Sequence, residues 1–199
     1  MNELQDGLRG GLIDPSTDYL SALVNAGSGG VSQWLLVATV LVLFMQTGFL
    51  LLESGSVRSK NTINVSQKNV VDMIICGCAF MLVSASIMFG AGSTGWFGFG
   101  GFDINNSDTQ LKLLFQFAFC ATAATIISGA VAERMTFNAY MVVALAMAVL
   151  IYPAFGHLVW GNAIIPGNPS FLADIGFLDY SGSTVVHAIG GWASPKRHR

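Results

Sequence analysis

The chain has 199 residues, 53% of them hydrophobic and only 10% charged, far below the roughly 25% charge of an average soluble domain. A formal net charge of −2 and the lack of a basic cluster in the body of the chain exclude the electrostatic footprint of a nucleic-acid-binding protein. The composition is that of a membrane protein, whose few lysines and arginines serve topology and whose first partner is the lipid bilayer.

Residues 1–33 are polar and glycine-rich, with Asp6-Gly7, Asp14-Pro15 and Gly27-Ser28-Gly29-Gly30, and read as a loose or partly helical lead-in. No basic start followed by a short apolar core is present, so no cleaved signal peptide is expected and the first span directs insertion. That span is predicted over about 34–52, a charge-free run long enough to cross the hydrocarbon. The loop from Glu53 to Asn69 carries Arg58, Lys60 and Lys68, which places it in the cytoplasm and the N-terminus outside the cell membrane.

A second span is predicted over about 70–90, with Asp72 near its inner end, wet or serving as a cap. Residues 91–112 form an outer loop with Trp96 at the interface. The third span, 113–132, is followed by Glu133-Arg134, a turn short enough to make spans three and four antiparallel neighbours. Span four, 135–156, contains Pro153, where a kink or local break is expected. His157 and Trp160 then follow at the outer surface, and a loop rich in Gly, Pro and Asn leads to Asp179.

A fifth span starts at about Thr184, and only 184–193 remain apolar before the basic tail 194–199. Ten residues are about half of a spanning helix, so the predicted fold is an all-α membrane protein with four complete transmembrane helices and a truncated fifth. Cys76, Cys78 and Cys120 lie in apolar runs and read as small packing residues. Two apart on a helix, Cys76 and Cys78 diverge and make a poor metal pair. No metal and no cofactor are expected.

Chemistry converges at one end. With span three starting outside, Phe115 and Phe119, four apart on one helix face, lie in its outer third, while Trp160 follows span four and Asp179 precedes span five on the outside, so all four gather near one outer mouth. Aromatic faces attract cations by about 0.5–2 kcal/mol per contact, and a carboxylate adds Coulombic attraction. Just below comes His187 in an apolar run. A full charge in the bilayer costs at least about 2.5–3.5 kcal/mol, so a neutral imidazole lining such a path favours a cation that can surrender its proton, and ammonium qualifies. Each residue also has a plainer reading. Trp160 could belong to an interfacial aromatic belt, the phenylalanines to packing, Asp179 to a helix cap, and His187 to a satisfied core position. An intramembrane hydrolase is the weaker idea, since no nucleophile with an evident base stands beside Asp179 and His187.

Four segments carry a resemblance: Gly48-Phe49-Leu50-Leu51-Leu52-Glu53-Ser54-Gly55-Ser56-Val57-Arg58-Ser59-Lys60-Asn61, Ser128-Gly129-Ala130-Val131-Ala132-Glu133-Arg134, His157-Leu158-Val159-Trp160-Gly161, and the stretch from Asp179 to Trp192. Over about 34–193 the chain resembles the first half of an ammonium transporter of the Amt/Mep/Rh family. The resemblance implies a homotrimer of eleven-helix protomers, each with a pore between two inverted five-helix halves. It makes Phe119, with Phe115 beside it, the first-half part of a phenylalanine gate. Trp160 would help bind ammonium through cation-π contact, Asp179 would be the acidic residue near that site, and His187 the first of two pore histidines. The partner histidine, second gate phenylalanine and outer-site serine belong to the second half in this family, so conduction by this chain alone is not expected. An ammonium-sensing module and a non-conducting fragment that modulates full-length trimers are the alternatives.

Overall fold

The computed structural model describes residues 15–92 and 95–194, with side chains from Gly29 onward. The tail 195–199 and the first part of the lead-in lie outside the described residues. Helix α1 spans Pro15–Ser56, α2 spans Ser59–Phe89, α3 spans Ser107–Val131 and α4 spans Phe137–Trp160. A single turn, α5, covers Phe171–Asp174. The last element, α6, opens with a π-helical turn at Ser183–Ala188 and ends as an α-helix at Ile189–Ala193. No strand occurs among the described residues.

Segments of α1 to α4 between 24 and 31 residues long have peak mean hydropathy of 1.7 to 2.4, enough length and apolarity to cross a bilayer. Their outward faces carry large apolar side chains, among them Trp34, Phe44, Leu52, Ile74, Leu82 and Val142. In water such a surface would be an association hazard, whereas in lipid it is solvated.

Helix α3 is the centre of the bundle, packed against α1, α2, α4 and α6. Its middle is made of small residues, Ala118, Cys120, Ala121, Thr122, Ala123, Ala124, Thr125 and Ser128, all buried, which lets neighbouring backbones approach closely. Gly190 of α6 uses that approach: a Cβ there would lie 2.9 Å from the Ala123 carbonyl oxygen and 2.9 Å from Ile126 Cβ. Gly190→Ala is therefore expected to lower stability by about 1–3 kcal/mol through overpacking. The melting temperature in detergent reads this, and an unchanged value would contradict the close seating of α6 on α3.

Pro153 has the local effect its sequence implies, in a specific form. A π-helical turn at Met147–Ile151 ends two residues before it, which accommodates the ring and the missing amide donor without ending the helix. A matching π-helical turn occupies Phe80–Ser84 of α2. The two turns are joined by Ser84, whose hydroxyl donates to the Ala148 carbonyl at 2.6 Å.

At the end of the bundle that carries the basic residues, Glu133 adopts a left-handed backbone with φ of 63° in the turn between α3 and α4. Its Oε1 accepts from Asn61 Nδ2 at 2.7 Å, Arg58 N at 2.9 Å and Arg58 Nε at 3.1 Å. These bonds, the one from Asn61 foremost, hold its carboxyl down to about 2, and they clasp the α1–α2 corner to the α3–α4 turn.

Several expectations are corrected by packing. Glu53, read as the start of a loop, lies within α1 and is buried, bonded to Asn69 and Ser128. Asp72, expected to be wet or capping, is fully enclosed and accepts from Thr125 Oγ1 at 3.1 Å. His157 is not at the surface but buried within α4. Cys78 faces outward while Cys76 and Cys120 are buried, because residues two apart on a helix cannot share its inner face.

Candidate functional site

The α3 register puts Phe115 one turn before Phe119, and their rings meet edge to face at 4.7 Å between centroids, a favoured aromatic geometry. Trp160 is the last residue of α4, because the helix runs about one turn past the end predicted for span four. Its ring lies 6.1 Å from that of Phe119. Phe115, Gln116, Phe119, Trp160, Ala163 and Ser181 line an open depression of about 320 Å³. Three aromatic faces and two polar side chains around such a space suit a small cation that is partly desolvated on entry.

The end of α4 that presents Trp160 is staked on three sides. His157 Nδ1 lies 2.8 Å from the Met88 carbonyl, and its proton satisfies that oxygen. Asn168 donates to the carbonyls of Gly90 and Gly161 at 2.9 and 3.0 Å and accepts from Gly92 N at 3.0 Å. Gly161 must be glycine here, because a Cβ would meet the His157 carbonyl oxygen at 2.6 Å and Ser170 Oγ at 2.7 Å. The sequence assigns none of these residues an anchoring role, because the bonds of His157 and Asn168 to Met88, Gly90 and Gly92 span 69 to 78 residues.

Asp179 is placed as a cap. Its Oδ2 accepts from Thr184 Oγ1 at 2.7 Å, Val185 N at 2.8 Å and Thr184 N at 3.1 Å, and its Oδ1 accepts from Ser183 Oγ at 2.8 Å. Partial burial works to raise its pKa. The bonds from Val185, Thr184 and Ser183 outweigh that and hold it below its ordinary 3.8. Asp179 does not line the aromatic depression, but its turn touches it. Gly182, at φ of 76° where only glycine is unstrained, abuts the Trp160 ring: a Cβ there would be 3.5 Å from it.

His187 lies in the π-helical turn of α6 with its side chain exposed, and it does not line the depression. Trp192, on the same short element, is 84% exposed. The sequence thus brings Phe115, Phe119 and Trp160 together, sets Asp179 behind them, and leaves His187 on an open face.

Comparison with known proteins agrees over the same stretch, since the Ammonium Transporter Family matches residues 33–194. The chain belongs to the ammonium transporter family. A Synechocystis sp. protein named for ammonium transport is 48% identical over 166 residues, covering 80% of this chain and 31% of its own length. Ammonium transporter Amt2 of Archaeoglobus fulgidus is 40% identical over 170 residues, with coverage of 80% and 36%. A solved structure of a sensor Amt protein superposes with a TM-score of 0.76 at 38% identity, covering 81% of this chain and 41% of that one. The chain therefore spans about a third of the length of the curated relatives it matches, as a multi-pass, all-helical membrane segment of the family.

Proposed function

We propose that this chain supplies the first half of an ammonium-conducting pore, in which the aromatic depression recruits ammonium from outside and His187 lines the path taken by ammonia. Family membership supports ammonium as the substrate. The single observation that carries the mechanism is the meeting of Phe115, Phe119 and Trp160 around one depression, the arrangement that cation-π attraction requires. In this reading Phe119 gates the way inward, and Asp179 acts by holding the turn that backs Trp160. The N-terminus lies outside, the protein sits in the cell membrane, and the intact form is a homotrimer.

The exposure of His187 and Trp192 on α6 supports a pore completed by a second set of helices facing this one. The chain as given is accordingly expected to mediate no methylammonium uptake in transport-deficient cells. The same segment continued by a second half is expected to restore it. Uptake by the short chain alone would overturn the two-half reading.

A second reading has one observation in its favour, the likeness to a sensor Amt protein. In that case the intact protein binds ammonium and relays the occupancy without flux. Binding that saturates in vesicles whose ammonium-driven change of internal pH equals that of protein-free vesicles would select the sensor.

A further inference from the structure

Away from the aromatic depression, toward the end that carries Arg58 and Arg134, three ionisable side chains are buried together: Glu53 at 6% exposure, Lys68 at 3% and Asp72 at 0%. If all three were charged the group would hold one net negative charge inside the bundle, a costly arrangement where no water compensates. One added proton makes it neutral. The hydrogen bonds indicate which carboxyl takes it.

Asp72 is served on both oxygens, by Cys76 Sγ at 3.2 Å on Oδ1 and Thr125 Oγ1 at 3.1 Å on Oδ2, the pattern of a carboxylate. Lys68 donates to the Met135 carbonyl at 2.7 Å and lies 5.9 Å from the centre of the Tyr140 ring. Among the described residues it forms no ion pair within 4.0 Å of Glu53. Tyr140 itself donates to the Ala124 carbonyl at 3.1 Å. Glu133, the nearest acid of the α3–α4 turn, is engaged with Arg58 and Asn61.

Glu53 differs. Its Oε2 accepts from Asn69 Nδ2 and Ser128 Oγ, both at 2.9 Å. Its Oε1 is buried without a partner, and so is Asn69 Oδ1. Both protons of the Asn69 amide are already used, since Nδ2 also donates to the Val65 carbonyl at 3.2 Å. On the α3 side Oε1 faces Gly129, where a Cβ would be 3.4 Å away and no side chain can donate. Two buried acceptors stand unserved beside donors that are committed elsewhere, and a proton on Oε1 would turn one of them into a donor.

We propose that Glu53 is a buried proton-binding site: Oε1 carries the proton, Oε2 is the carbonyl oxygen that accepts from Asn69 and Ser128, and Asn69 Oδ1 is the acceptor open to the acid proton. The pairing is that of a carboxylic acid with an amide. It joins α1, α2 and α3 through an uncharged cluster, and it keeps a bound proton outside the aromatic path.

Infrared spectroscopy of the intact protein in lipid at neutral pH tests this. Wild type is expected to show the carbonyl band of an un-ionised carboxyl, shifted downward in heavy water. Glu53→Gln, which replaces the acid O–H with an amide N–H, is expected to lose that band and to melt close to wild type, and Asp72→Asn to keep it. Ser128→Ala, which removes one donor to Oε2, is expected to move the band to higher wavenumber, and it serves if Glu53→Gln fails to fold. Absence of the band in wild type, its loss in Asp72→Asn, or an unmoved band in Ser128→Ala would overturn the proposal.

Discussion

Asp179→Ala is expected to unfasten the start of α6 and to reduce ammonium uptake by the intact transporter at least about tenfold. The carboxylate holds two backbone N–H groups and two hydroxyls at the start of that helix. A lost cap costs about 0.5–2 kcal/mol, and hydrogen bonds to a charged group raise the figure to about 2 kcal/mol or more. The loss reaches transport through Gly182, which lies beside Trp160, where an added Cβ would be 3.5 Å from the ring. Asp179→Asn keeps an acceptor but not the charge, so its effect should be intermediate. The contribution also has a definite pH dependence. Because the folded protein holds this carboxyl below its ordinary 3.8, the stabilisation is complete above that value and is lost as pH falls through the lower, folded one. Thermal melts of wild type and Asp179→Ala should therefore converge on acidification below about 4, and a constant gap down to the acid limit would refute the capping role.

Trp160→Leu is expected to weaken apparent affinity for ammonium by about 2- to 30-fold, the equivalent of about 0.5–2 kcal/mol for one cation-π contact. The maximal rate should change less, because Phe119 and the rest of the path remain. Leucine keeps an apolar side chain at the end of α4, where His157 and Asn168 fix the backbone independently of the indole. An assay of uptake rate against ammonium concentration separates the two parameters. Unchanged half-saturation would mean that the ring only packs against Phe119 and Gly182.

The aromatic depression could be read from the chain because its ingredients are local. Phe115 and Phe119 fall four apart on a charge-free span, and the alternation of spans sends Trp160 to the same end. Asp179 was legible as an acid at the mouth and as a cap, and its oxygens are used for the cap. Glu53 reads as a loop residue because a charge normally ends an apolar window, while its partners Asn69 and Ser128 lie 16 and 75 residues away. Asp72 reads as wet or capping for the same reason, since Thr125 reaches it from another helix. The π-helical turns have no residue signature apart from the proline that follows one of them, and the Ser84 bond that links them becomes visible only when α2 and α4 are packed together.

The decisive measurement is the internal pH of vesicles that contain the intact protein with this segment, followed after an ammonium pulse. Conduction of ammonia past His187 predicts a rapid alkalinisation above that of protein-free vesicles, slowed by Trp160→Leu at low ammonium and rescued at high ammonium. A response equal to that of empty vesicles, or one indifferent to Trp160 at every concentration, would contradict recruitment at the aromatic depression.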